Sequence, residues 1–558
     1  MGWTDAWNKD EVFSRVLSVA CDYSVDEGLV LSVIYSNQLH CLSTIQRVVD
    51  QWRTSLEELI LECKTVPAPS IVTASDFSSA GLAESDFCKL VQGDLPLLDL
   101  ALVDIEDIYP CLPVQEGLLF ATLQDPAAYM VQLGFTIKGQ LNVGRFHRAW
   151  EQTAHDHSIL RTRFLMASGC DANKNLQRTT GFTPDRPWIR FGFCRTAPDL
   201  FKLMISVHHA LVDGWSIGLL LHSVCSNYIG DTLPTAVQYR DFVDHIGDQD
   251  TSAAEQFWTH QFSGVEEPCL LVQPHYHHPT FPDLRPSDAS FYGAVEKSVH
   301  ILEQINRLTS DHGVTLSTLL RVAMAAVLQH HTGSTDPVFG VVVSGRNVPV
   351  EGVENIIGAC INTIPCRVAL GSNPSVGDIL QAVYATSTQA HGFEHCRLTD
   401  IHRWSGLGQE RPLFNTLLVL ENYPETPTNP KLPFQMELDS FWDPTDFPLA
   451  VIAHAQGDQL QFRVSYRTLD FSPDFINSFT DHFIAALSSL VSVDASSPLT
   501  SIQILTLAER EQLLSSWATN PHDTPRVLAH DLFKQQCENA PRLTALTYNG
   551  QHYTYAQL

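Results

Sequence analysis

The stretch LMISVHHALVDGWSIGLLL (Leu203–Leu221) sets an apolar run against two adjacent histidines, an Asp-Gly step and a second apolar run. The first run, Phe201–Val207, is short and suits a buried strand. In the second, Ile217, Leu220, Leu221, Val224 and Tyr228 recur on one face of a helix, with Ser216 placed to cap it. A strand-to-helix junction lets a rigid scaffold hold side chains in a fixed geometry. A histidine there can act as a general base near neutral pH or donate to developing charge. Asp213 can orient that histidine, or it can turn away and tie the loop down through an arginine. Gly214 permits either a positive φ or a close backbone approach.

Histidine pairs alone carry little information. With 24 histidines in 558 positions, about one pair is expected by chance, and three occur. His330 and His331 end the apolar helix LSTLLRVAMAAVLQHHTG (Leu316–Gly333), where the carbonyl end of the dipole favours a cation and Gly333 stops the helix. The HYHH run (His275–His278) lies between prolines with no cysteine or carboxylate at ligand spacing, so it reads as a solvated loop and not as a metal site. Only His208–His209 follows a buried strand directly.

Composition limits the function. A net charge of −28 repels phosphate backbones and anionic membrane surfaces, which argues against a nucleic-acid or membrane partner. The thirteen cysteines are scattered with no CxxC pair, so neither a zinc ribbon nor a secreted disulfide framework is expected. The opening MGWTDAWNKDEVFSRV is acidic where a signal peptide is basic, and no apolar run approaches membrane-spanning length. A soluble cytoplasmic protein of about two to four domains is expected.

An internal repeat organises the chain. Shifted by 431 positions, Leu29–Ile60 overlies Leu460–Val491, with Tyr35 on Tyr466, Ile45 on Ile476, Trp52 on Phe483 and Leu56 on Leu487. Both copies read as a strand followed by an amphipathic helix. The chain then begins with the tail of one domain and carries a complete relative further on. If the match is only that of any strand-then-helix pair, residues 1–60 are an unrelated small module. A Ser-, Ala-, Pro- and Thr-rich stretch follows and reads as a linker over residues 63–103, with a second boundary near Asp494–Gln503. Between them strands and helices alternate, including a second buried strand in PVFGVVVSG (Pro337–Gly345), which predicts an α/β fold in two lobes.

HHALVDG resembles the HHxxxDG motif of condensation domains in non-ribosomal peptide synthetases. Five more segments resemble family motifs in the family order. They are DIYPCLPVQEGLLF (Asp107–Phe120), HSILRTRF (His157–Phe164), VQYRDFV (Val237–Val243), SGRNVPVEGVENIIGACINTIPCRV (Ser344–Val368) and LFNTLLVLENYP (Leu413–Pro424). Six ordered matches over about 320 residues are far more specific than any one pattern. The resemblance implies an α/β, two-lobed, chloramphenicol-acetyltransferase-like condensation fold, a V-shaped pseudo-dimer around a tunnel. It places the condensation domain at 104–497, with an N-lobe of about 104–265 and a C-lobe of about 266–497. Residues 498–558 resemble a linker and the start of an adenylation domain, and residues 1–62 the tail of an epimerization domain, so the donor would end in a D-residue.

By the same resemblance His209 is the catalytic histidine, acting as base or orienting the amine, and His208 is a packing and hydrogen-bonding neighbour. Asp213 is implied to be structural, salt-bridged to Arg161 or Arg346. Gly214 keeps the loop close to the thioester, and Trp215 and Ser216 support it. Tyr109, Pro110 and Gln115 shape the first helix, while Asn362 and Thr363 cap or turn the chain near the tunnel. No cofactor or metal is expected to bind directly. The substrates arrive on 4'-phosphopantetheine arms of donor and acceptor carrier domains, with epimerization and adenylation domains as neighbours.

One departure stands out. Phe164 and His208 are 44 positions apart, where relatives have about forty more, enough for another strand and helix. MASGCDANKNLQRTTGFTPDRPW (Met166–Trp188) replaces that region, and loss of a strand beside the histidines would leave an exposed edge and a loosely held loop. Two other functions therefore stay open. One is a stand-alone HxxxD acyltransferase using coenzyme A thioesters, although its DFGWG-type segment is lacking and DFPLA (Asp446–Ala450) is the nearest stretch. The other is an inactive fragment that only docks carrier domains.

Overall fold

A computed structural model describes residues 17–24, 28–65, 72–97, 102–124, 128–166, 175–180, 188–274, 276, 292–371, 373–421, 429–443, 445–517 and 527–558. His275, His277 and His278 lie outside them. The chain opens with an antiparallel hairpin of β1 (Leu17–Ser24) and β2 (Gly28–Tyr35), followed by α1 (Leu42–Thr65). The segment expected to be a linker is folded over much of its length. A 3-10 turn (Ala74–Ala80), α2 (Glu84–Lys89) and α3 (Leu95–Leu97) bury Phe77, Phe87, Leu90 and Leu95 against Ile105, Ile108 and Leu165. Ser79 Oγ, which bonds Asp244 at 3.0 Å, fastens it to the domain that follows. Its few large apolar residues supply a buried face that its Ser and Thr content disguises.

The next elements are β3 (Ile105–Pro110), α4 (Pro113–Gln124), β4 (Met130–Gly139), α5 (Val143–Asp156), β5 (Thr162–Met166), β6 (Asn175–Thr180), β7 (Ile189–Ala197), β8 (Leu200–His208), α6 (Gly214–Ile229) and α7 (Tyr239–Gly247). The C-terminal half adds α8 (Thr251–Gln261), β9 (Tyr292–Val299), α9 (Leu302–His312), α10 (Leu316–Thr332), β10 (Val338–Val343), β11 (Asn362–Arg367), α11 (Val376–Ala390), α12 (Leu398–Trp404), β12 (Thr416–Glu421), β13 (Phe434–Trp442), β14 (Leu449–Gln456), β15 (Gln459–Arg467) and α13 (Pro473–Leu490). It closes with α14 (Leu507–Glu511), α15 (Ala529–Asn539) and the hairpin β16 (Thr544–Tyr548) and β17 (Gln551–Thr554).

Two principal sheets carry the lobes, ordered β13-β4-β8-β7 and β11-β10-β12-β14-β15-β9; a third, β3-β6-β5, lies beside the first. The near-continuous apolar β10 pairs parallel with β12, and β12 with β14, as a strand covered on both faces does. Against them lies α10, buried from Thr318 to Leu328 and capped by Thr315 and by Gly333 at φ 75°. β14, β15 and α13 follow the same order as β1, β2 and α1, both hairpins being antiparallel. Ile476, Phe479, Phe483 and Leu487 of α13 are fully buried, whereas Val48, Trp52 and Leu56 of α1 are exposed.

Two sequence expectations fail here. The lobes do not divide at 265/266. β13, from the C-terminal half, pairs with β4 in the N-lobe sheet, and Val353, Ile356, Ile357 and Cys360 join the N-lobe core, while Ala254, Trp258 and Phe262 join the C-lobe core. Nor does the shortened region strip β8 of its neighbour. β7 pairs with it from Ile189 to Ala197, and β6 occupies part of the replaced stretch. Edge exposure therefore falls on β7 and spares β8. Among the described residues no helix is long and apolar enough to cross a membrane.

His331 is also not the cation its place at a helix end suggests. It is half-buried beside His482, with Nε2 3.0 Å from His482 Nδ1, and His482 Nε2 lies 3.0 Å from Glu509 Oε1 of α14. Burial, with His482 and His330 adding repulsion, pushes its pKa down to about 4. Folded His331 is then neutral where the unfolded chain takes up a proton, so the unfolded state binds more protons between pH about 6.5 and about 4. The thermal unfolding midpoint should fall as pH drops through that window, and His331→Phe should flatten the fall in scanning calorimetry.

Candidate active site

Strand β8 delivers both histidines at its end. Its partners hold them by the backbone: His208 N donates to Trp188 O at 3.0 Å, and His209 N donates to Tyr129 O at 2.9 Å. The His208 side chain is fully buried. Its Nδ1 accepts from Ala210 N (3.1 Å), so Nε2 carries the proton and donates to Thr122 Oγ1 (2.8 Å), which in turn donates to Leu118 O. The Trp188 ring meets it edge-on at 4.8 Å. Burial, with His209 next, pushes the His208 pKa down to about 4, so this histidine is a neutral packing group at neutral pH.

His209 turns the other way. Nδ1 is buried with no hydrogen-bond partner among the described residues, and the Nε2 side faces Asp443, whose Oδ2 is 3.8 Å away. Tyr129 sets its ring edge-on at 6.4 Å, from a backbone held at φ 56°. Gln115 supports the loop from below. It is fully buried, accepts from Leu112 N (2.9 Å) and donates to Ala210 O (2.9 Å) between the histidines and the aspartate.

Asp213 turns away from the histidine and toward an arginine. Oδ1 accepts from Ser216 N (2.8 Å), with Ser216 Oγ at 2.7 Å, and Oδ2 accepts from Arg346 Nη1 (2.7 Å) and Cys360 N (3.0 Å). Asp213 is therefore the N-cap of α6, not Ser216, whose hydroxyl instead meets Gly358 at both its N and its O. Arg346 also donates to Ile356 O (3.2 Å) and lies 5.5 Å over the Trp215 ring, and Trp215 Nε1 donates to Glu354 O (2.8 Å). Close approach makes this possible: a Cβ at Gly345, φ 65°, would strike the Cys360 carbonyl, and one at Gly358 the Tyr239 ring.

The second arginine candidate is excluded by place. Arg161 pairs with Glu106 and donates from Nε to Ala154 O (2.9 Å), fastening the end of α5 to β3. Gly214 opens α6 without a positive φ. Asn362 and Thr363 begin β11 and turn nothing; Asn362 Nδ2 donates to Glu394 O (2.6 Å) and Cys396 O (2.8 Å).

His209, Asp213 and Gly214 line one cavity of about 630 Å³. Its walls come from both lobes: Val114, Leu118, Tyr129 and Ile217 on one side, and Leu417, Glu421, Ile452, His454 and Arg463 on the other. The space suits an extended chain bearing reactive groups that meet at Nε2. Sequence reasoning missed Thr122, Tyr129 and Asp443. Thr122 was legible as one helical turn beyond the motif residue Leu118; Asp443 had no local signal, being 234 positions from His209. Among the described residues no group of three or more His, Cys, Asp or Glu is placed to hold a metal.

The Asp213–Arg346 pair is almost wholly dry, with side chains 0% and 5% exposed. Arg346→Ala strands a buried carboxylate and should cost about 3–5 kcal/mol. Replacing both partners with apolar residues should recover part of that loss in urea denaturation: no charge is then left unpaired, but the buried N–H groups of Ser216 and Cys360 lose their acceptor.

The family model described as condensation domain matches residues 105–180 and 171–514, two pieces that overlap around β6, where the sequence is shortened. A linear gramicidin synthase of Brevibacillus parabrevis is 29% identical over 95% of this chain and 7% of its own length. Tyrocidine synthase 2 of the same organism is 27% identical over 81% of this chain and 14% of its own. The chain thus spans a small part of the curated relatives it matches. A crystal structure of the starter condensation domain of rhizomide synthetase RzmA mutant R148A, in complex with C8-CoA, superposes with TM-score 0.58 at 16% identity, covering 71% of this chain and 98% of that one. The matched span holds the histidine junction and both lobes that enclose it, and the chain belongs to the condensation domain family.

Proposed function

We propose that this chain forms a peptide bond within a non-ribosomal peptide synthetase. A donor peptidyl thioester and an acceptor aminoacyl thioester, each on the 4'-phosphopantetheine arm of a carrier domain, meet at His209. The observation that carries the reading is the placement of His209 on a cavity walled by both lobes, its backbone fixed by Tyr129 O and its neighbour His208 fully satisfied. Holding both reactants there replaces a bimolecular encounter with a positioned one, worth up to about 7–11 kcal/mol of barrier. The amine nitrogen attacks the thioester carbon, the C–S bond breaks, and the proton leaving nitrogen ends on the departing thiol. His209 Nε2 accepts an N–H of the amine, as base or as orienting group. Asp213 holds the loop and takes no part in proton transfer, because all its bonds go to Ser216, Arg346 and Cys360.

Residues 1–62 are the tail of an epimerization domain in this reading, which the shared order of hairpin and helix supports. The donor then ends in a D-residue. Residues 498–558 begin an adenylation domain, and the chain works among carrier, epimerization and adenylation neighbours in the cytoplasm. Two other readings have their own support. Use of a free coenzyme A thioester draws on the C8-CoA complex of the rhizomide starter domain. Carrier docking without chemistry drew on the shortened lobe, and β6 and β7 beside the histidine loop weaken it.

Supplied with a D-phenylalanyl carrier and a panel of carriers bearing the proteinogenic L-amino acids, the chain should release a joined dipeptidyl carrier in at least one pairing, read by mass spectrometry. His209→Ala should abolish it. Transfer from octanoyl coenzyme A alone would favour the acyltransferase reading, and carrier binding without product the docking one. A preference for the L-phenylalanyl donor would overturn the epimerization assignment.

A further inference from the structure

Asp443 occupies a position that no motif marks. It follows β13, the strand that crosses into the N-lobe sheet, and precedes β14 of the C-lobe, so the chain brings it to the meeting of the lobes. It lines the same cavity as His209. Its Oδ2 is 3.8 Å from His209 Nε2, and among the described residues it receives no hydrogen bond. A carboxylate that merely orients a histidine binds a ring nitrogen directly at about 2.7–2.9 Å. Here the orienting position, Nδ1, is buried with no partner among the described residues, and the carboxylate instead faces the nitrogen directed at the cavity, with a gap between them.

That gap fits one further atom. A nitrogen about 2.9 Å from both acceptors can offer one N–H to each with its bonds bent only about 20° from linear. Resting on the condensation reading above, we infer that Asp443 is a catalytic residue that holds the acceptor amine jointly with His209, one N–H on Oδ2 and the other on Nε2. The lone pair is thereby aimed away from both, toward the thioester carbon. The nitrogen gains positive charge as the C–N bond forms, so a fixed carboxylate stabilises the transition state more than the bound amine. Asp443 takes no net proton: the C–N bond forms, the C–S bond breaks, and the proton still ends on the departing thiol.

The surroundings keep this carboxylate responsive to pH. Burial raises the Asp443 pKa, against the opposing charges of His209 and Arg463. Glu421 at the end of β12 is also raised, by burial first, with His454 and Arg463 lowering it and Asp443 adding repulsion. Tyr129, Asp446, Glu296 and Lys297 are the other titratable groups facing the site. The ionised Asp443 is present above its folded pKa and lost as pH falls through it. The rate should therefore have an acid limb set above the ordinary carboxylate range.

The test uses the full chain with the carrier pairs named above, in wild type, Asp443→Asn, Asp443→Ser, Asp443→Glu and His209→Ala, with the unfolding midpoint of each measured. Asp443→Asn should lower kcat about 100-fold, leave the acceptor KM within about threefold and displace the acid limb. Asp443→Ser should lose at least as much, and Asp443→Glu should restore part of kcat and the limb, which a purely structural role would not do. A wild-type product that vanishes in His209→Ala but persists in Asp443→Asn with kcat within about twofold and the acid limb intact overturns this inference and leaves the condensation reading standing. A wild-type chain that joins none of the pairs overturns both.

Discussion

The carboxylate of Asp213 is buried, and its two oxygens are met by Ser216, Arg346 and the backbone N–H of Cys360. This cluster is where the halves of the chain are pinned together. Asp213 starts α6 in one lobe, while Arg346 and Cys360 belong to the 344–360 segment that leaves β10 of the other. A buried pair adds little net stability, because both charges must first be stripped of water. Its stronger effect is on geometry, since any other docking of the lobes leaves a carboxylate and a guanidinium unpaired in a dry interior.

Two exchanges across the lobe boundary make that docking hard to undo. β13 crosses to pair with β4, and the 353–360 segment inserts Val353, Ile356, Ile357 and Cys360 into the N-lobe core. The cavity at His209 is therefore walled by elements that cannot separate without breaking a sheet. Its floor is equally fixed: Thr122, His208, the Ala210 backbone, Gln115 and Gln177 form a chain of hydrogen bonds under the loop. Gln177 sits in the stretch that is shortened, and its Nε2 donates to Pro110 O at 2.9 Å. Enough of that region remains to hold the opening motif against the histidine loop.

The first unit of the chain shows what the second one hides. α1 and α13 carry apolar residues at matching positions, yet α13 buries them on α10 and the β9–β15 sheet edge while α1 leaves Val48, Trp52 and Leu56 in solvent. The same local pattern reaches two different burial states because burial belongs to what surrounds a helix. The region 72–97 makes the converse point. Its Ser- and Thr-rich composition resembles a connector, but Phe77, Phe87, Leu90 and Leu95 together close over Ile105 and Ile108.

The alternation of strands and helices, the strand ending in two histidines, the capped helices α6 and α10, and the six ordered motifs were all legible in the sequence, because each depends on residues within a turn or a strand of one another. The same local reach put the cap of α6 within one turn of its true place, on Ser216 in place of Asp213, since the two residues compete for the same free N–H groups. Which arginine answers Asp213, where the lobes divide, and that Asp443 stands opposite His209 were decided only by the tertiary structure. Arg161 and Arg346 both sit in motif segments; Arg346 is the partner because Gly345 and Gly358 let the 344–360 connection pack against itself and against Tyr239 without a side chain between. Asp443 reaches the histidine only because β13 changes sheets, and strand pairing across some three hundred residues leaves no periodicity for a sequence to display.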